Sequence, residues 1–523
     1  MLKTNNKTDV IVVGAGPSGI ACAIVLARAG KEVVLIERGL FAGSKNVFGG
    51  AIYTQPTKEI FPNFETEAPI ERRNIEHNFM ILGEKDSTTI TYRKDDNSSY
   101  SVIRGKFDRW AAEQAKKAGV ILVEETVVRE LIKSKNKVIG VKTELEDYYA
   151  DIVVLADGVN SLLAKQIGLR KDLETKDVAL SVKEVIKLDK EVINQRFRLK
   201  DNEGSICELF GGPMLGILGL GFMYTNTDSV TIGAGITLND LVEKNYKPYE
   251  ILEALKQHPT IAPLIEGGTL KEYSAHLIPE GGYKKVPKLC ANGVMIVGDA
   301  GMLVNNLHWE GTNLAMISGK LAAETAILAL DTGDYSKKIL SNYEKALKNS
   351  FVMKDLKTYK DLMTICHSRQ KAFLNYYFKK INAFFEMFTS VNSIPKRENY
   401  WKFIKSIFKD RKIFRINQRY FCNNKTSVEY FDMNLDKKLY TLKYSPDTES
   451  HLKPDKEQCK LCKSKNCTYI CPAQVYEWNE EKQEIIVNYE NCLECGACRI
   501  ACERKAIDWK YPKGTKGVTF KQG

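Results

Sequence analysis

Eight of the chain's 13 cysteines fall between residues 459 and 502, in two runs of four. The first is Cys459-x2-Cys462-x4-Cys467-x3-Cys471-Pro472, and the second is Cys492-x2-Cys495-x2-Cys498-x3-Cys502. Thiolates this closely spaced wrap one iron–sulfur cubane, and the fourth cysteine of each run goes to the neighbouring cluster. That rule puts Cys459, Cys462, Cys467 and Cys502 on one [4Fe–4S] cluster and Cys471, Cys492, Cys495 and Cys498 on another. The x4 gap in the first run departs from the pattern. The competing reading is a pair of four-cysteine zinc sites built from CxxC halves, which do not need the third and fourth cysteines at these spacings.

A second chemistry sits at the other end. Val10-Ile11-Val12-Val13 runs into Gly14-Ala15-Gly16-Pro17-Ser18-Gly19, then into an amphipathic stretch, Ser18–Ala29. This is the order of a dinucleotide-binding βαβ unit. Gly14 permits the turn, Gly16 lets a pyrophosphate reach the backbone, and Gly19 lets the helix pack on the strand. A second strand, Glu32–Ile36, ends at Glu37, at the distance where an acid binds a ribose hydroxyl. The alternative is a glycine turn in some other α/β protein.

Two later stretches repeat the strand-then-turn pattern. One ends in Ala156-Asp157-Gly158, the other in Val297-Gly298-Asp299-Ala300, where an Asp can accept hydrogen bonds from a ribityl chain. A buried structural Asp turn is the plainer reading of the latter. A helix over Gly311–Ala329, opened by Glu310-Gly311-Thr312-Asn313, would aim its N-terminus at the negative end of a reduced isoalloxazine. Clusters carry single electrons and a flavin accepts one or two, so the two halves together read as a converter between one- and two-electron carriers.

The elements that must position these residues divide as follows. Residues 1–175 and 286–335 form an α/β FAD-binding domain, with a helix over Phe107–Ala118 and strands at Ile121–Glu124, Val127–Lys133, Val138–Thr143 and Asp151–Ala156. Residues 176–285 form an inserted antiparallel sheet of Val178–Lys187, Ile206–Leu209, Leu215–Tyr224 and Ser229–Ile236, ending near Gly235, with helices over Leu238–Gln257 and Pro259–Leu264. This insert would bear the substrate. Residues 336–425 are helical, aromatic and basic. Leu374, Phe378, Ile381, Phe385 and Phe388 make one apolar stripe; Trp401, Ile404 and Phe408 make another, beside Lys402, Lys405, Lys409, Arg411 and Lys412. Such a helix docks on its own core or lies on an anionic membrane surface. Ser445–His451 reads as a polar linker, and the boundary of a ferredoxin-like α+β domain, 426–523, is placed somewhere from 424 to 450.

A net charge of +12 favours an acidic partner or an anionic surface, and no nucleic-acid motif accompanies it. No run reaches membrane-spanning length. The polar start, Met1–Lys7, has no secretion-signal core, so a cytoplasmic location is expected, with peripheral contact on the cytoplasmic membrane face.

With both halves read, the chain resembles the FixC and FixX family. Residues 8–420 are similar to the FixC flavoprotein and its relative, electron-transfer flavoprotein–quinone oxidoreductase, through Gly14–Gly19, Arg104–Trp110, Ala156-Asp157-Gly158, Pro279-Glu280-Gly281-Gly282-Tyr283 and Val297–Ala300. Residues 430–523 resemble the ferredoxin-like FixX, through Lys437–Leu442, Cys471–Trp478, Cys492–Cys502 and Tyr511–Val518. The chain resembles a fusion of the two. The resemblance implies a p-hydroxybenzoate-hydroxylase-like FAD fold, with Gly14, Gly16, Gly19 and Glu37 around the ADP half, Arg104 near the phosphates, Asp299 on the ribityl chain, and Gly311 and Asn313 by the isoalloxazine. It implies an electron-transfer flavoprotein as donor and a membrane quinone as acceptor, in the high-potential arm of an electron-bifurcating complex.

His276, His308 and Glu310 have titratable groups able to deliver protons to a quinone; ordinary structural hydrogen bonding is the alternative for each. Two rival functions stand beside this one. One is a geranylgeranyl-type reductase of polyprenyl double bonds, which needs no second cluster. The other is an electron-wiring subunit without a small-molecule substrate.

Overall fold

The computed structural model describes residues 7–47, 50–214, 216–305, 310–361 and 435–523. The stripes of Leu374–Phe388 and Trp401–Phe408, the lysines beside them, and His308 lie outside the described residues.

The strand Lys7–Val13 pairs in parallel with Val33–Ile36 on one side and Asp147–Leu155 on the other. Ile121–Val123 and Val294–Ile296 extend the sheet in the same sense. Antiparallel strands finish it: Cys290–Ala291 at one edge and the hairpin Val128–Ser134/Lys137–Thr143 beside Asp147–Leu155. The near-continuous apolar runs suit a parallel sheet covered on both faces. Val13 lies opposite Ile36 and Leu155, and Leu155 opposite Ile296. The carboxyl ends of four strands therefore line up, and each runs into one of the stretches singled out by sequence. Clefts at such ends are where open α/β sheets bind ligands.

Two helices cover one face. Pro17–Arg28 starts with proline at its first turn, where the missing N–H is not needed. It packs on Thr312–Thr332. The latter is long and apolar enough to cross a membrane, contrary to the sequence expectation, but it is mostly buried against the sheet and serves as a core helix.

Gly14 sets the turn between strand and helix. Its φ is +103°, and a Cβ there would lie 2.4 Å from the carbonyl oxygen of Ala156. An L-residue is strained at this φ and collides with backbone that cannot yield. Gly14→Ala is expected to lose its flavin, read as FAD released per chain on denaturation; a full FAD complement in a folded variant would contradict this turn geometry.

The second sheet differs from expectation in two ways. It is not confined to residues 176–285: Ala51–Tyr53, Ile70–Leu82, Ser87–Arg93 and Ser99–Val102 belong to it. Ile70–Leu82 joins in parallel to Glu203–Gly211, in an otherwise antiparallel sheet. Nor does it end near Gly235. Ser229–Thr237 is followed by Thr269–Pro279, which pairs along the whole of Val178–Lys187 and forms an edge. The helix expected over Leu238–Gln257 is two, Leu238–Lys244 and Pro248–Lys256, parted by Asn245 at φ +54° and by Pro248. The short helix expected over Pro259–Leu264 forms at Ala262–Ile265.

The cysteine module is built from three two-stranded ribbons: Lys443–Ser445 with Gly517–Thr519, Leu452–Pro454 with Ile507–Trp509, and Tyr476–Asn479 with Glu484–Val487. Ser445–His451 is not a linker. It is a loop inside the module, held where Tyr489 donates its hydroxyl to the Asp447 carbonyl at 2.9 Å. One apolar core runs from the second sheet into the module. Polar contacts add to it. Glu272 accepts the backbone N–H groups of Lys521, Gln522 and Gly523 at 2.6, 3.0 and 2.9 Å, and Tyr273 donates its hydroxyl to the Pro472 carbonyl at 2.9 Å.

Candidate functional site

A cleft of about 610 Å³ opens at the carboxyl ends of the parallel strands. Gly14, Gly16, Glu37, Asp157 and Gly158 line it from the first sheet. Arg104, His276, Asp299 and Gly311 line it as well. Of the other predicted cofactor residues, Gly19 packs the helix on the strand, its Cβ direction ending 1.9 Å from the Gly14 oxygen. Gly298 turns the chain into the cleft at φ +61°. Asn313 is turned aside: its side-chain oxygen accepts the Tyr53 N–H at 3.3 Å and its amide donates to Glu310.

The carboxylate of Glu37 accepts the N–H groups of Ala15 at 2.9 Å and Gly39 at 2.7 Å, which fixes the glycine turn. Arg104 lies along Asp108 in a two-point contact at 2.8 and 2.6 Å, an arrangement that holds its planar fork still. Asp157 spends its carboxylate on the Ser161 hydroxyl at 3.0 Å and the Leu163 N–H at 3.4 Å. Burial pushes Asp299 up to about 6 against the pull of Arg104 and Arg170. Loss of solvent, with Arg38 and Arg104 beside it, brings His276 down to about 4. Its imidazole is therefore neutral at pH 7 and holds no proton to deliver as a cation.

Sequence reasoning missed Arg38, Lys45 and Arg129, three cations that line the cleft. It missed equally Trp509 and Tyr511, which the cysteine module contributes to the same wall. Arg38 lies 4.1 Å above the centre of the Tyr511 ring, and Arg129 donates to the Tyr511 carbonyl at 2.7 Å. The loop after Glu37 supplies Lys45 and Asn46; no local signal tied residues 508–511 to the cleft.

These residues fit FAD. The Cβ direction of Gly16 meets nothing nearer than the Asn46 amide at 3.8 Å, so any side chain there would fill the cleft. The backbone of the turn is bare where a diphosphate must approach, and cations line the walls. The volume is within the range of about 300–1,000 Å³ usual for ligand clefts.

The eight clustered cysteines surround two chambers. Cys459, Cys462, Cys467 and Cys502 line an outer one and are partly exposed; Cys471, Cys492, Cys495 and Cys498 line an inner one and are buried. The crossing of the fourth cysteines expected from spacing is the arrangement found. Glu494 and Gly496, both at positive φ, curl the second run around its chamber. Among the described residues, no three His, Cys, Asp or Glu side chains close on a single ion; the thiols face a space between them.

Donors point at several of the sulfurs. Val475 N–H lies 3.4 Å from Cys471 Sγ, Glu494 N–H 3.3 Å from Cys492 Sγ, and Ala506 N–H 3.3 Å from Cys502 Sγ. The Tyr476 hydroxyl reaches Cys498 Sγ at 3.3 Å. This donor set suits thiolates that hold an iron–sulfur cluster. Tyr476 lines both cysteine chambers. Asn160, just past the Asp157-Gly158 turn, donates to the Cys495 carbonyl at 3.1 Å and ties the inner chamber to the cleft.

Fold and site together define a flavoprotein oxidoreductase with a p-hydroxybenzoate-hydroxylase-like FAD fold and an appended iron–sulfur domain. Residues 7–197 match the model for an FAD binding domain, and residues 430–521 match that for the 4Fe-4S domain of electron transfer flavoprotein-ubiquinone oxidoreductase. The chain is 42 % identical over 414 residues to FixC of Bradyrhizobium diazoefficiens, covering 77 % of this chain and 95 % of that one. With FixC of Escherichia coli K12 it shares 39 % over 395 residues, 74 % and 92 % of the two chains. It belongs to the FixC family, and binds FAD and at least one [4Fe–4S] cluster. Among solved structures, a geranylgeranyl bacteriochlorophyll reductase-like protein of Thermoplasma acidophilum overlays with a TM-score of 0.61 at 21 % identity, covering 78 % of this chain and 99 % of that one. The probable FAD-dependent monooxygenase PqsL of Pseudomonas aeruginosa gives 0.52 at 16 %, covering 73 % and 100 %. At these identities the likeness is one of fold.

Proposed function

We propose that this chain takes electrons from an electron-transfer flavoprotein, through two [4Fe–4S] clusters and FAD, and delivers them to a membrane quinone. In this reading it is the high-potential arm of an electron-bifurcating complex, working at the cytoplasmic face of the membrane. The observation that carries the reading is the order of the three cavities. The outer chamber shares Tyr476 with the inner chamber, and the inner chamber shares Trp509 with the cleft. Clusters move electrons one at a time, and FAD exchanges them singly or in pairs.

The residues do the rest. The outer cysteines are the partly exposed ones, where a soluble protein can approach, and exposed Lys463, Arg504 and Lys505 stand next to them in the chain. Such cations favour an acidic partner. Around Asn313, loss of solvent and the nearby Glu310 push the Tyr53 hydroxyl well above its ordinary range. Tyr53 therefore keeps its proton as a hydrogen-bond donor, and Glu310, which accepts from the Asn313 amide beside the opening of the helix Thr312–Thr332, is the carboxyl assigned to carry a proton in.

Protein purified anaerobically is expected to hold about eight irons with matching sulfide, one FAD and no zinc, and to show two interacting reduced clusters by EPR. It should then reduce quinone when supplied with a reduced electron-transfer flavoprotein. About four irons would return the chain to a single-cluster type. Zinc without sulfide, or full cofactors without quinone reduction, would sink the reading.

A further inference from the structure

Trp509 stands in the wall between two cavities. The residue lines the FAD cleft, and it also lines the inner chamber of Cys471, Cys492, Cys495 and Cys498. The strand Ile507–Trp509 fixes its backbone, with Trp509 opposite Leu452. Tyr511 meets the indole edge-on, centroids 4.8 Å apart at 70°, and the Arg499 guanidinium lies 5.8 Å from the ring centre. The residue is 4 % exposed. Its Nε1 is closed off from solvent and has no hydrogen-bond partner in the protein.

That orphan donor is informative. An indole N–H can only donate, and a buried one finds an acceptor. An atom facing the 610 Å³ cleft would be wetted through its opening, and Nε1 is not. The inner chamber is the other cavity that Trp509 lines, and among the described residues no protein acceptor meets its Nε1. The sulfide and thiolate sulfurs of an iron–sulfur cluster are acceptors that would sit there.

We propose that Trp509 is a positioning residue between the inner cluster and the flavin: its indole N–H donates to a sulfur of that cluster while its ring closes the cleft. The proposal rests on the two-cluster reading above. A hydrogen bond to a cluster sulfur favours the reduced, more negative cluster and raises its reduction potential. Two cofactors would thus be separated by one side chain that touches both.

The test uses the full-length, cofactor-loaded chain. Trp509→Phe keeps an aromatic wall and removes the donor. The expected result is an inner-cluster midpoint shifted to more negative potential in an EPR-monitored titration, by more than any shift of the flavin, with the outer-cluster midpoint and the iron content unchanged. An unmoved inner midpoint in a variant carrying about eight irons overturns the proposal, as does a shift confined to the flavin. If the variant fails to load, wild-type protein labelled with ¹⁵N-indole tryptophan decides. Pulsed ENDOR of the reduced inner cluster should show a ¹⁵N coupling and an exchangeable proton, both surviving Trp478→Phe; their absence overturns the proposal. About four irons in the wild-type chain with the inner chamber empty would sink the two-cluster reading itself.

Discussion

Cys471→Ala is expected to abolish the inner cluster and leave the outer one intact, although Cys471 closes the first cysteine run of the sequence. Iron should fall from about eight to about four per chain, and the features of two interacting clusters should vanish from the EPR spectrum. Cys502→Ala should do the converse. The reason is local. After the short helix Cys467–Ile470 the chain straightens, and Cys471 and Pro472 leave the outer loop for the inner chamber. There Val475 N–H meets the Cys471 sulfur. In the other direction, the helix Ala497–Ala501 carries the chain from Cys498 to Cys502, four residues or about 6 Å along its axis. Alanine is preferred to serine because a serine oxygen can still ligate iron. The remaining cluster is identified by its exposure: a soluble dysprosium chelate should relax the signal left in Cys471→Ala strongly, and that left in Cys502→Ala weakly. The opposite pattern would mean that each run holds its own cluster.

The parts legible in the sequence were those where chemistry constrains neighbours in the chain. Gly14, Gly16 and Gly19 answer to one turn, and Glu37 closes the next strand of the same unit. The cysteine runs encode their chambers through spacing, and even the exchange of Cys471 and Cys502 followed from it. What escaped was long-range pairing of polar groups. Ile70–Leu82 carries charges that break any strand pattern, yet Arg72 is buried. Its guanidinium donates to the Asn226 carbonyl at 2.6 Å, the Asn194 side chain at 2.7 Å and the Glu203 carbonyl at 2.9 Å. Thr269–Pro279 was overlooked for the same reason: its Glu272 faces inward to hold backbone N–H groups 249 to 251 residues away. Ser87–Arg93 is largely exposed, and its short alternation of Ile90 and Tyr92 with threonines faces solvent instead of a core. Trp509 and Tyr511 read as two more aromatics of a small domain, because only docking brings them to the cleft.

Glu494→Ala is expected to loosen the iron–sulfur module from the flavin fold. Glu494 is 2 % exposed, sits between Cys492 and Cys495, and meets both Arg38 and Lys45 from the cleft wall. Lys45 also donates to the carbonyls of Lys516 at 3.0 Å and Val518 at 2.7 Å, and Val518 N–H returns to Glu494 at 3.0 Å. Removing the carboxylate takes the counter-charge from two largely buried cations, a change that costs about 3–5 kcal/mol in comparable buried pairs. The pH dependence has a definite sign. Burial alone would push the Glu494 carboxyl up, but Lys45 and Arg38 outweigh it and hold the carboxyl below its ordinary value of 4.5. The folded protein therefore binds this proton less readily than the unfolded chain does. The pair's contribution is present in full above the unfolded value, and it is lost as pH falls through the folded one. Urea denaturation of wild type and Glu494→Gln, followed by tryptophan fluorescence, should show a stability gap that is constant near neutral pH and narrows below about pH 4.5. The same loss should reach the flavin. Arg38 stacks on Tyr511, and both line the cleft, so a module that lifts at Glu494 removes one wall of the cofactor site and FAD retention should fall with it. A gap that stayed constant into acid, or a variant that kept both its stability and its FAD, would mean that the apolar core shared by sheet and module holds the interface without the ion triad.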